Sequence, residues 1–388
     1  MKSKLNPDSI FEPPMLREVT VRVNAVGGVN LAQGVCRMPV PEVVLEAAVA
    51  ALREGKNLYA PAFGVEELRH AIANKSNSFN KIAYKPENIL VTVGATGAFE
   101  SICFSFLREG DEVISFSPFY PYHQNTIKSR KAVAKYIELK PPGWIFDFEE
   151  VEKAISPRTK FILVNTPNNP TGKVFSRSEL EGIASLCRRH NIFCVTDEVY
   201  EYMTYDGHRH ISMASLPGMF ERTITISAYS KTFAITGWRI GYLAAPKSVV
   251  EVLKAASDQI YVCAPTPLQH AVAKGILELP DSYYQNLHTE YTRKRSLMVH
   301  ALEKAGFACS VPQGAYYVVA DAREKFGEKS AKESAFELVE RYRVAAVPAS
   351  DFIERTSYSD PTKNSFFRFC FAVPDQMLHQ AGESLAKP

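Results

Sequence analysis

The sequence predicts an α/β protein made of a large three-layer domain with a mostly parallel central sheet and a smaller α+β domain. Short β-rich segments alternate with helical segments up to about residue 285, and this alternation is typical of strands that pair in parallel. These strands are apolar along their whole length, as expected of strands covered on both faces. Beyond residue 285 a long charged helix and aromatic strands replace the alternation. We therefore expect a large domain over residues 43–285, and a small domain formed by residues 286–388 with the N-terminal segment 1–42.

The individual elements follow from hydrophobic spacing and from helix start signals. Pro41 precedes one helical segment, and two overlapping capping boxes, Ser176 with Glu179 and Ser178 with Glu181, indicate the start of another. The predicted helices are VVLEAAVAALREG from residue 43, VEELRHAIANKSNSF from 65, AFESICFSFLREG from 98, SRSELEGIASLCRRHN from 176 and YYQNLHTEYTRKRSLMVHALEKAG from 283. The predicted strands lie at 89–93, 111–116, 161–165, 192–198 and 222–227, and in the small domain at 315–321, 344–350 and 366–373.

The composition indicates a cytoplasmic globular protein that binds neither nucleic acid nor a membrane. The 388 residues are 46% hydrophobic, and 45 basic against 42 acidic side chains leave a formal charge of only +3, so an anionic polymer is not expected as a partner. The seven cysteines form no CxxC pair, which favours reduced core thiols over disulfides or a metal site. The N-terminal residues lack the apolar run of a signal peptide, and no apolar run is long enough to span a membrane.

Polar clusters follow the strands of the large domain at their C-terminal ends. GATG at 94–97 follows the first strand, SPFYPY at 117–122 the second, and NTPNNPTG at 165–172 the third. Asp197 and Tyr200 end the fourth strand, and Lys231 follows the fifth. Because ligands of open α/β sheets bind at the carboxyl ends of the strands, these clusters predict one pocket.

Two cations lie in a segment that otherwise has the composition of a protein interior. Lys231 and Arg239 stand in SAYSKTFAITGWRIGY, residues 227–242, among small, aromatic and hydroxylated side chains. Most lysines are solvated, and a long basic side chain can reach water from an apolar surface. The alternative is that Lys231 is a buried amine with a chemical role.

Each cluster by itself has a simpler interpretation. GATG could be only a tight turn, although the free N–H groups at the start of a helix bind phosphate, and it matches neither the P-loop nor the dinucleotide fingerprint. NNPTG is rich in turn residues, Asp197 could cap a helix, Tyr120 could belong to the core, and Arg239 could have a structural partner. The occurrence of all the clusters at successive strand ends favours a shared site.

Four motifs, in this order, resemble the class I and II aminotransferases, which use pyridoxal phosphate on the type I fold. They are VTVGATGAFE, NTPNNPTGKVF, VTDEVYEYMTY and SKTFAITGWRIGY. The resemblance runs from about Asn30 to Ala372, and within the family it is to the aspartate, aromatic, kynurenine and methionine aminotransferases. It implies a homodimer with active sites shared between the two chains.

The resemblance implies roles around the ring of pyridoxal phosphate. Lys231 would be the amine that bonds to the cofactor aldehyde, and burial would lower its pKa and favour the reactive neutral form. Asp197 would pair with the pyridine nitrogen, and Asn169 and Tyr200 would hydrogen-bond to the ring hydroxyl. Tyr120 would stack on the ring. The protein would thus orient and tune a cofactor that carries the chemistry.

Other residues are implied as ligands of the cofactor phosphate. Arg239, the backbone of Ala95 and Thr96, and the hydroxyl of Thr96 would hold it. Tyr59 in LYAPAFG would reach it from the neighbouring subunit.

The substrate carboxylate is implied to bind at Arg368. Its guanidinium would form a bidentate fork that lysine cannot offer, and the backbone of Gly34 and the side chain of Asn169 would complete the site. The simpler alternative for Arg368 is an edge-strand arginine that reaches solvent.

The sequence departs from the family pattern at three places. Many relatives have serine three residues before the lysine, where this chain has Ala228, so that phosphate contact is missing or is supplied by Ser227 or Ser230. The residues VCRMPVP after Gly34 and the segment VPASDF also differ from the usual pattern, and both are expected near the substrate entrance.

We therefore expect a pyridoxal-phosphate-dependent aminotransferase of amino-acid metabolism, with no metal. It would move the amino group of an aromatic, sulfur-containing, kynurenine-like or aspartate substrate to a 2-oxo acid. Candidates that could line the side-chain pocket, although each could instead be core, are Val29, Tyr122, Tyr261 and Tyr316. A carbon–sulfur β-lyase of the same fold is the alternative. A non-catalytic cofactor-binding regulator is disfavoured, because the near-neutral chain shows no DNA-binding segment and Lys231 is present.

Overall fold

A seven-stranded sheet lies at the centre of the structure. The computed structural model describes residues 14–327, 329–360 and 363–387 of the chain. The strands are β1 (Val29–Asn30), β2 (Ile89–Val93), β3 (Glu112–Ser117), β4 (Val133–Glu138), β5 (Thr159–Asn165), β6 (Phe193–Asp197), β7 (Thr223–Ala228), β8 (Ile240–Ala244), β9 (Ala308–Ser310), β10 (Tyr317–Asp321), β11 (Val344–Ala345), β12 (Val347–Pro348) and β13 (Phe366–Cys370). The helices are α1 (Met15–Ala25), α2 (Glu42–Arg53), α3 (Glu66–Lys75), α4 (Gly94–Phe106), α5 (Pro121–Ser129), α6 (Phe148–Ala154), α7 (Arg177–His190), α8 (Tyr229–Thr232), α9 (Lys247–Tyr261), α10 (Thr266–Glu278), α11 (Asp281–Lys304), α12 (Arg323–Phe326), α13 (Ala331–Tyr342) and α14 (Asp375–Leu385).

The central sheet has the strand order β2-β8-β7-β6-β5-β3-β4. Strands β3 to β7 pair in parallel, and β8 lies antiparallel between β2 and β7. The predicted α/β class with a mostly parallel sheet is therefore confirmed.

Helices cover both faces of this sheet, which explains why its inner strands β5, β6 and β7 are buried at nearly every position. In β5, Phe161 and Leu163 belong to the same buried cluster as Ile102 of α4. The alternate residues Ile162 and Val164 belong to the cluster that contains α7. Successive side chains of one strand thus enter different layers, as the strand period requires.

The sequence patterns missed two strands of the central sheet, β4 and β8. Strand β4 forms an edge of the sheet, and only Ile137 of its residues is buried, so it lacks the apolar run by which the inner strands are recognised. Strand β8 lies inside the motif that contains Arg239, directly after a turn in which Arg239 has a φ of 59°. This turn sends the chain back beside β7, with Ala228 opposite Gly241.

Two predicted helix boundaries and one predicted capping box also need correction. Helix α4 begins at Gly94, so GATG forms its first turn. Helix α3 ends at Lys75 and continues as a π-helical turn. At the start of α7 only Ser176 and Glu179 form a capping box. The second predicted box is wrong, because Ser178 lies inside the helix and its hydroxyl contacts Ser176 at 3.1 Å.

The segments at the two ends of the described chain contact each other. Strand β1 pairs in parallel with β11, with Val29 opposite Val344. The main-chain N–H groups of Met15 and Leu16, at the start of α1, donate to the Asp351 carboxylate at 3.0 and 3.1 Å. A four-stranded antiparallel sheet, β12-β13-β10-β9, lies beside them. The boundaries expected from the sequence fall at the start of α2 and within the first turns of α11.

The cysteines agree with the expectation from composition. All seven cysteines are free and five of them are buried, as predicted for reduced core thiols. Every helix in the described ranges is too short or too polar to cross a membrane.

A buried carboxylate fastens the edge of the central sheet. Glu112, at the start of β3, receives hydrogen bonds from Ser156 at 2.5 Å and from Arg158 at 2.7 and 3.1 Å, and it pairs with Lys135 of β4 at 2.6 Å. Burial opposes ionisation of this carboxyl, but these three partners outweigh it and lower the pKa of Glu112 to about 2.

Replacing Glu112 by Gln should lower the free energy of unfolding by about 1.5–3 kcal/mol at pH 7, because two basic side chains lose a charged acceptor. The folded pKa is lowered, so the stabilisation is complete above the ordinary value of 4.5 and is lost as the pH falls towards 2. The difference between wild type and variant in urea unfolding should therefore shrink on acidification. Glu109→Gln is the control, since the Glu109–Lys131 pair is exposed and should contribute under about 0.5 kcal/mol. Equal losses in the two variants would contradict this account.

Candidate active site

A cavity of about 770 Å³ lies at the carboxyl edge of the central sheet. The structure brings ten of the residues predicted for the site to its wall: Gly34, Ala95, Thr96, Tyr120, Asn169, Asp197, Tyr200, Lys231, Arg239 and Arg368. The candidates Tyr122 and Tyr261 also line the cavity, whereas Val29 and Tyr316 are core residues behind its wall. Tyr59 is 84% exposed and is not part of the cavity formed by its own chain.

The Lys231 side chain enters the cavity from α8, the short helix that follows β7. Its Nζ donates a hydrogen bond to the carbonyl oxygen of Gly34 at 3.1 Å and lies 5.5 Å from the ring centroid of Tyr316. Burial lowers the pKa of the Lys231 amine to about 8, and the positive charges of Arg368 and Arg239 act in the same direction. A substantial fraction of the amine is therefore neutral near physiological pH, and a neutral amine is nucleophilic.

The Asp197 carboxylate ends β6 and is oriented by a histidine that the sequence analysis did not identify. Its Oδ2 lies 3.1 Å from Nε2 of His123, and both side chains are buried. The His123 ring packs against Phe99 at 4.7 Å and Tyr120 at 5.2 Å between centroids. His123 lies three residues after Tyr120, in the first turn of α5, and this position gives no local signal of its contact with Asp197.

The start of α4 and the Arg239 side chain form a second region of the cavity. A Cβ atom on Gly94 would lie 2.4 Å from an Arg239 nitrogen, so the guanidinium rests against the first helical turn. The N–H groups of such a turn have no partners within the helix. The hydroxyl of Ser230, which also lines the cavity, is buried and has no hydrogen-bond partner among the described residues. This set of donors suits a phosphate group.

The two glutamates of the motif around Asp197, Glu198 and Glu201, do not line the cavity. Glu198 accepts hydrogen bonds from Ser212 at 3.0 Å, and Glu201 pairs with Lys75. Ser227 donates to Glu201 at 3.4 Å and does not line the cavity. The hydroxyl that borders the cavity beside Ala228 is therefore that of Ser230.

The Arg368 guanidinium is buried and lies between two aromatic rings. Its carbon is 4.3 Å from the Tyr317 ring centroid and 4.9 Å from that of Phe352. One terminal nitrogen donates to Oδ1 of Asn169 at 2.9 Å, and the other donates to the carbonyl oxygen of Ala32 at 2.7 Å. Its Nε has no partner among the described residues. Arg368 therefore does not reach solvent, which rules out the edge-strand interpretation.

Tyr200 is joined to a second tyrosine that the sequence analysis also missed. The Tyr200 and Tyr317 hydroxyl oxygens are 3.0 Å apart. Burial raises the pKa of both phenols, so both are protonated at neutral pH. Tyr317 had no sequence signal, because in the strand AYYVVAD it has the pattern of a core residue.

The cavity contains positive charges that have no carboxylate partner. In the described part of the chain, no carboxylate lies within ion-pair distance of Lys231, Arg239 or Arg368. Asp197 pairs with His123, and Glu100, the other acidic residue of the wall, pairs with Arg130. Unmatched positive charge at low dielectric attracts anions strongly, so the cavity is suited to ligands that carry phosphate and carboxylate groups.

Comparison with known proteins identifies the family of the chain. The sequence profile of the family described as "Aminotransferase class I and II" matches residues 26–385. A kynurenine–oxoglutarate transaminase 3 of Rattus norvegicus is 35% identical over 92% of this chain and 84% of its own length. The solved structure of the N-succinyldiaminopimelate aminotransferase from Mycobacterium tuberculosis gives a TM-score of 0.92 at 33% identity and covers 97% of both chains. An Escherichia coli protein with a methionine aminotransferase function gives a TM-score of 0.91 at 30% identity, over 98% of this chain and 99% of its own. The chain therefore belongs to the class I and II aminotransferase family and is an aminotransferase.

Proposed function

We propose that this enzyme binds pyridoxal phosphate in the 770 Å³ cavity and transfers the amino group of an L-amino acid to a 2-oxo acid. The observation that carries the proposal is the presence of three cations without carboxylate partners in one cavity. One of them is a lysine whose pKa is lowered to about 8. The other two, Arg239 and Arg368, lie in different regions of the wall, as a ligand phosphate and a substrate carboxylate require.

The residues present fit this cofactor. Arg239, the first turn of α4 with Ala95 and Thr96, and the unpartnered hydroxyl of Ser230 would hold the phosphate. Ser230 would thus supply the contact that Ala228 cannot make.

Other side chains would orient the cofactor ring. Tyr120 would stack on it, and Asn169 and Tyr200 would hydrogen-bond to the ring hydroxyl. Asp197, itself held by His123 at 3.1 Å, would keep the proton on the pyridine nitrogen.

The chemistry is divided between the cofactor and the chain. When bound, pyridoxal phosphate supplies an aldehyde that bonds to amines and a ring that accepts an electron pair. Lys231 would bond to this aldehyde in the resting enzyme, and its freed amine would then move a proton at the substrate α-carbon. A pKa of about 8 suits both roles, since the amine can hold and release a proton near neutral pH.

Arg368 would bind the α-carboxylate shared by the amino acid and the oxo acid. Its unpartnered Nε and its remaining N–H groups are free to form a fork. Asn169, at 2.9 Å, fixes the plane of the guanidinium, and the backbone of Gly34 would add a contact.

The apolar part of the cavity wall favours an apolar or aromatic substrate side chain. It is formed in part by Leu16, Val35, Tyr122, Ile260 and Tyr261. These residues support an aromatic, sulfur-containing or kynurenine-like amino acid over aspartate, because a second carboxylate would find little polar compensation against them.

The direct test is to mix the purified yellow protein with single L-amino acids and to follow the cofactor spectrum and the products. We expect loss of the aldehyde absorbance together with one equivalent of 2-oxo acid. Lys231→Ala should keep bound cofactor but lose turnover by about 10³-fold or more, whereas the exposed Lys247→Ala should match wild type. Release of ammonia and pyruvate would identify a β-lyase, and binding without product would identify a regulator. Near-normal turnover by Lys231→Ala would contradict the role of the lysine.

Arg368→Lys keeps the charge but removes the fork. We expect the KM values for the amino acid and for the oxo acid to rise together, by about 10-fold or more. Arg37→Lys, an exposed arginine of the neighbouring loop, is the matched control and should change neither. A rise for only one of the two substrates would mean that Arg368 contacts a side chain instead of the shared carboxylate.

We also propose that the enzyme is a homodimer and that Tyr59 reaches the cofactor phosphate of the partner. Leu58 and Tyr59 are 82% and 84% exposed, which is unfavourable for two adjacent large side chains unless a second chain covers them. A two-fold interface would let each chain give and receive the same residue.

Tyr59→Phe should weaken cofactor retention by about 1.5–3 kcal/mol, because one hydrogen bond to a charged group is lost. Co-refolding of Tyr59→Phe chains with Lys231→Ala chains tests whether Tyr59 reaches the active site of the partner chain. In the mixed dimer, the site with native Lys231 receives Tyr59 from the other chain, so its retention should return to the wild-type value. Co-refolding of Tyr59→Phe chains with the double variant Tyr59→Phe/Lys231→Ala should leave cofactor retention at its weakened value. A fully active monomer in sedimentation, or no rescue in the mixed dimer, would rule out the shared site.

A further inference from the structure

We infer that Tyr317 is a positioning residue that transmits the occupancy of the Arg368 carboxylate clamp to the hydrogen bond between Tyr200 and the bound cofactor. The inference rests on the proposed function, because it needs a cofactor at Tyr200 and a carboxylate at Arg368. It assigns a role to a tyrosine that neither the motifs nor the proposed set of ligands includes.

Tyr317 contacts both parts of the site at once. The residue is 1% exposed and stands at the start of β10. Its ring lies under the Arg368 guanidinium, with 4.3 Å between the guanidinium carbon and the ring centroid. Its hydroxyl lies 3.0 Å from that of Tyr200. A cation over the face of a ring interacts with its π-electrons, so Tyr317 joins the two groups through one rigid side chain.

The position of the Tyr317 hydroxyl is fixed by the main chain. A Cβ atom on Gly34 would lie 2.2 Å from this hydroxyl oxygen. Only glycine therefore lets the oxygen occupy its present position. The Tyr316 hydroxyl donates a hydrogen bond to the carbonyl oxygen of Gly34 at 2.9 Å. Gly34, which makes space for the Tyr317 hydroxyl, is therefore itself held in position.

The direction of the Tyr200–Tyr317 hydrogen bond follows from the two protons present. Both phenols are protonated at neutral pH because burial raises their pKa values. If Tyr200 uses its own proton to donate to the cofactor ring oxygen, the remaining bond requires Tyr317 to donate to Tyr200. Hydrogen bonds in such a chain strengthen one another. Tyr317 thus makes Tyr200 a better donor and stabilises the anionic form of the ring oxygen.

Arg368 controls the strength of this donation. Its positive charge lowers the pKa of the Tyr317 phenol against the opposing effect of burial, which makes Tyr317 a stronger donor. A carboxylate on Arg368 neutralises that charge, and Tyr317 then donates less strongly. The pH at which the cofactor absorbance titrates should consequently rise when a carboxylate binds.

A second connection runs in parallel through Asn169, which accepts a hydrogen bond from Arg368 at 2.9 Å. Removing the Tyr317 hydroxyl should therefore reduce the coupling without abolishing it. Phenylalanine keeps the ring under Arg368, so the carboxylate clamp should remain intact.

The experiment is a pH titration of the visible absorbance of the holoenzyme, with and without saturating 3-phenylpropionate, a carboxylate that has no amino group to react. In Tyr317→Phe without ligand, the titration midpoint should lie about 0.4–1 pH unit above that of wild type, because one hydrogen bond to the anionic form is lost. The further rise caused by 3-phenylpropionate should be at most half of the wild-type rise. The dissociation constant of 3-phenylpropionate should change less than about three-fold.

Tyr291→Phe is the matched control. Tyr291 is a fully buried tyrosine of the same aromatic cluster, but its hydroxyl contacts Cys36 at 2.9 Å and neither Tyr200 nor Arg368. This variant should titrate as wild type does. Superimposable titrations of Tyr317→Phe and wild type, or equal shifts in both variants, would overturn the inference. Those results would not contradict the proposed function. The proposed function would be contradicted only if the protein retained no cofactor or produced no oxo acid.

Discussion

Each cation of the cavity is held by a main-chain carbonyl oxygen instead of a carboxylate. A carbonyl satisfies a donor N–H group but carries no net charge, so the hydrogen bonds are made while the positive charge stays unmatched. Burying such a charge costs several kcal/mol, and an anionic ligand removes this cost when it binds. The bonds are Lys231 to Gly34 at 3.1 Å, Arg239 to Thr236 at 2.9 Å and Arg368 to Ala32 at 2.7 Å.

Elements of two different sheets hold the side chains of the cavity in position. The central sheet and the helices that follow its strands position Lys231, Arg239 and Asp197. The smaller antiparallel sheet carries Arg368 on β13 and Tyr317 on β10, at adjacent strands. The segment after β1 lies between the two sets and supplies two of the three carbonyl oxygens. A change in the backbone conformation of residues 32–34 therefore acts on the lysine and on the carboxylate clamp together.

Much of the fold was predictable because the inner strands are covered on both faces and therefore contain recognisable apolar runs, and because polar clusters follow them. The apolar pattern did not reveal β4, which lies at an edge of the sheet and buries only Ile137. It also did not reveal β8, because the first residues of this short strand belong to the motif SKTFAITGWRIGY. Lys231 could be singled out because a lysine in an interior-like segment is rare. His123 and Tyr317 could not, since their importance arises from partners 74 and 117 residues away, and no local pattern records such contacts.

The segment after β1 contacts both Lys231, the residue proposed to move the proton, and Arg368, the residue proposed to bind the substrate carboxylate. The Gly34 carbonyl accepts a hydrogen bond from the Lys231 amine, and the absence of a Cβ atom on Gly34 leaves room for the Tyr317 hydroxyl. A larger residue at position 34 would therefore displace the Tyr317 hydroxyl.

The bond between Arg368 and Ala32 joins positions 336 residues apart, and it has a consequence for the order in which the site is made. The central sheet is complete once β8 has left the ribosome, because none of its strands lies beyond residue 244. The phosphate region can then form while more than a hundred residues are still to be synthesised. The carboxylate clamp must wait for β13, close to the C-terminus. The groups proposed to bind the cofactor phosphate are thus synthesised well before Arg368, the residue proposed to bind the substrate carboxylate.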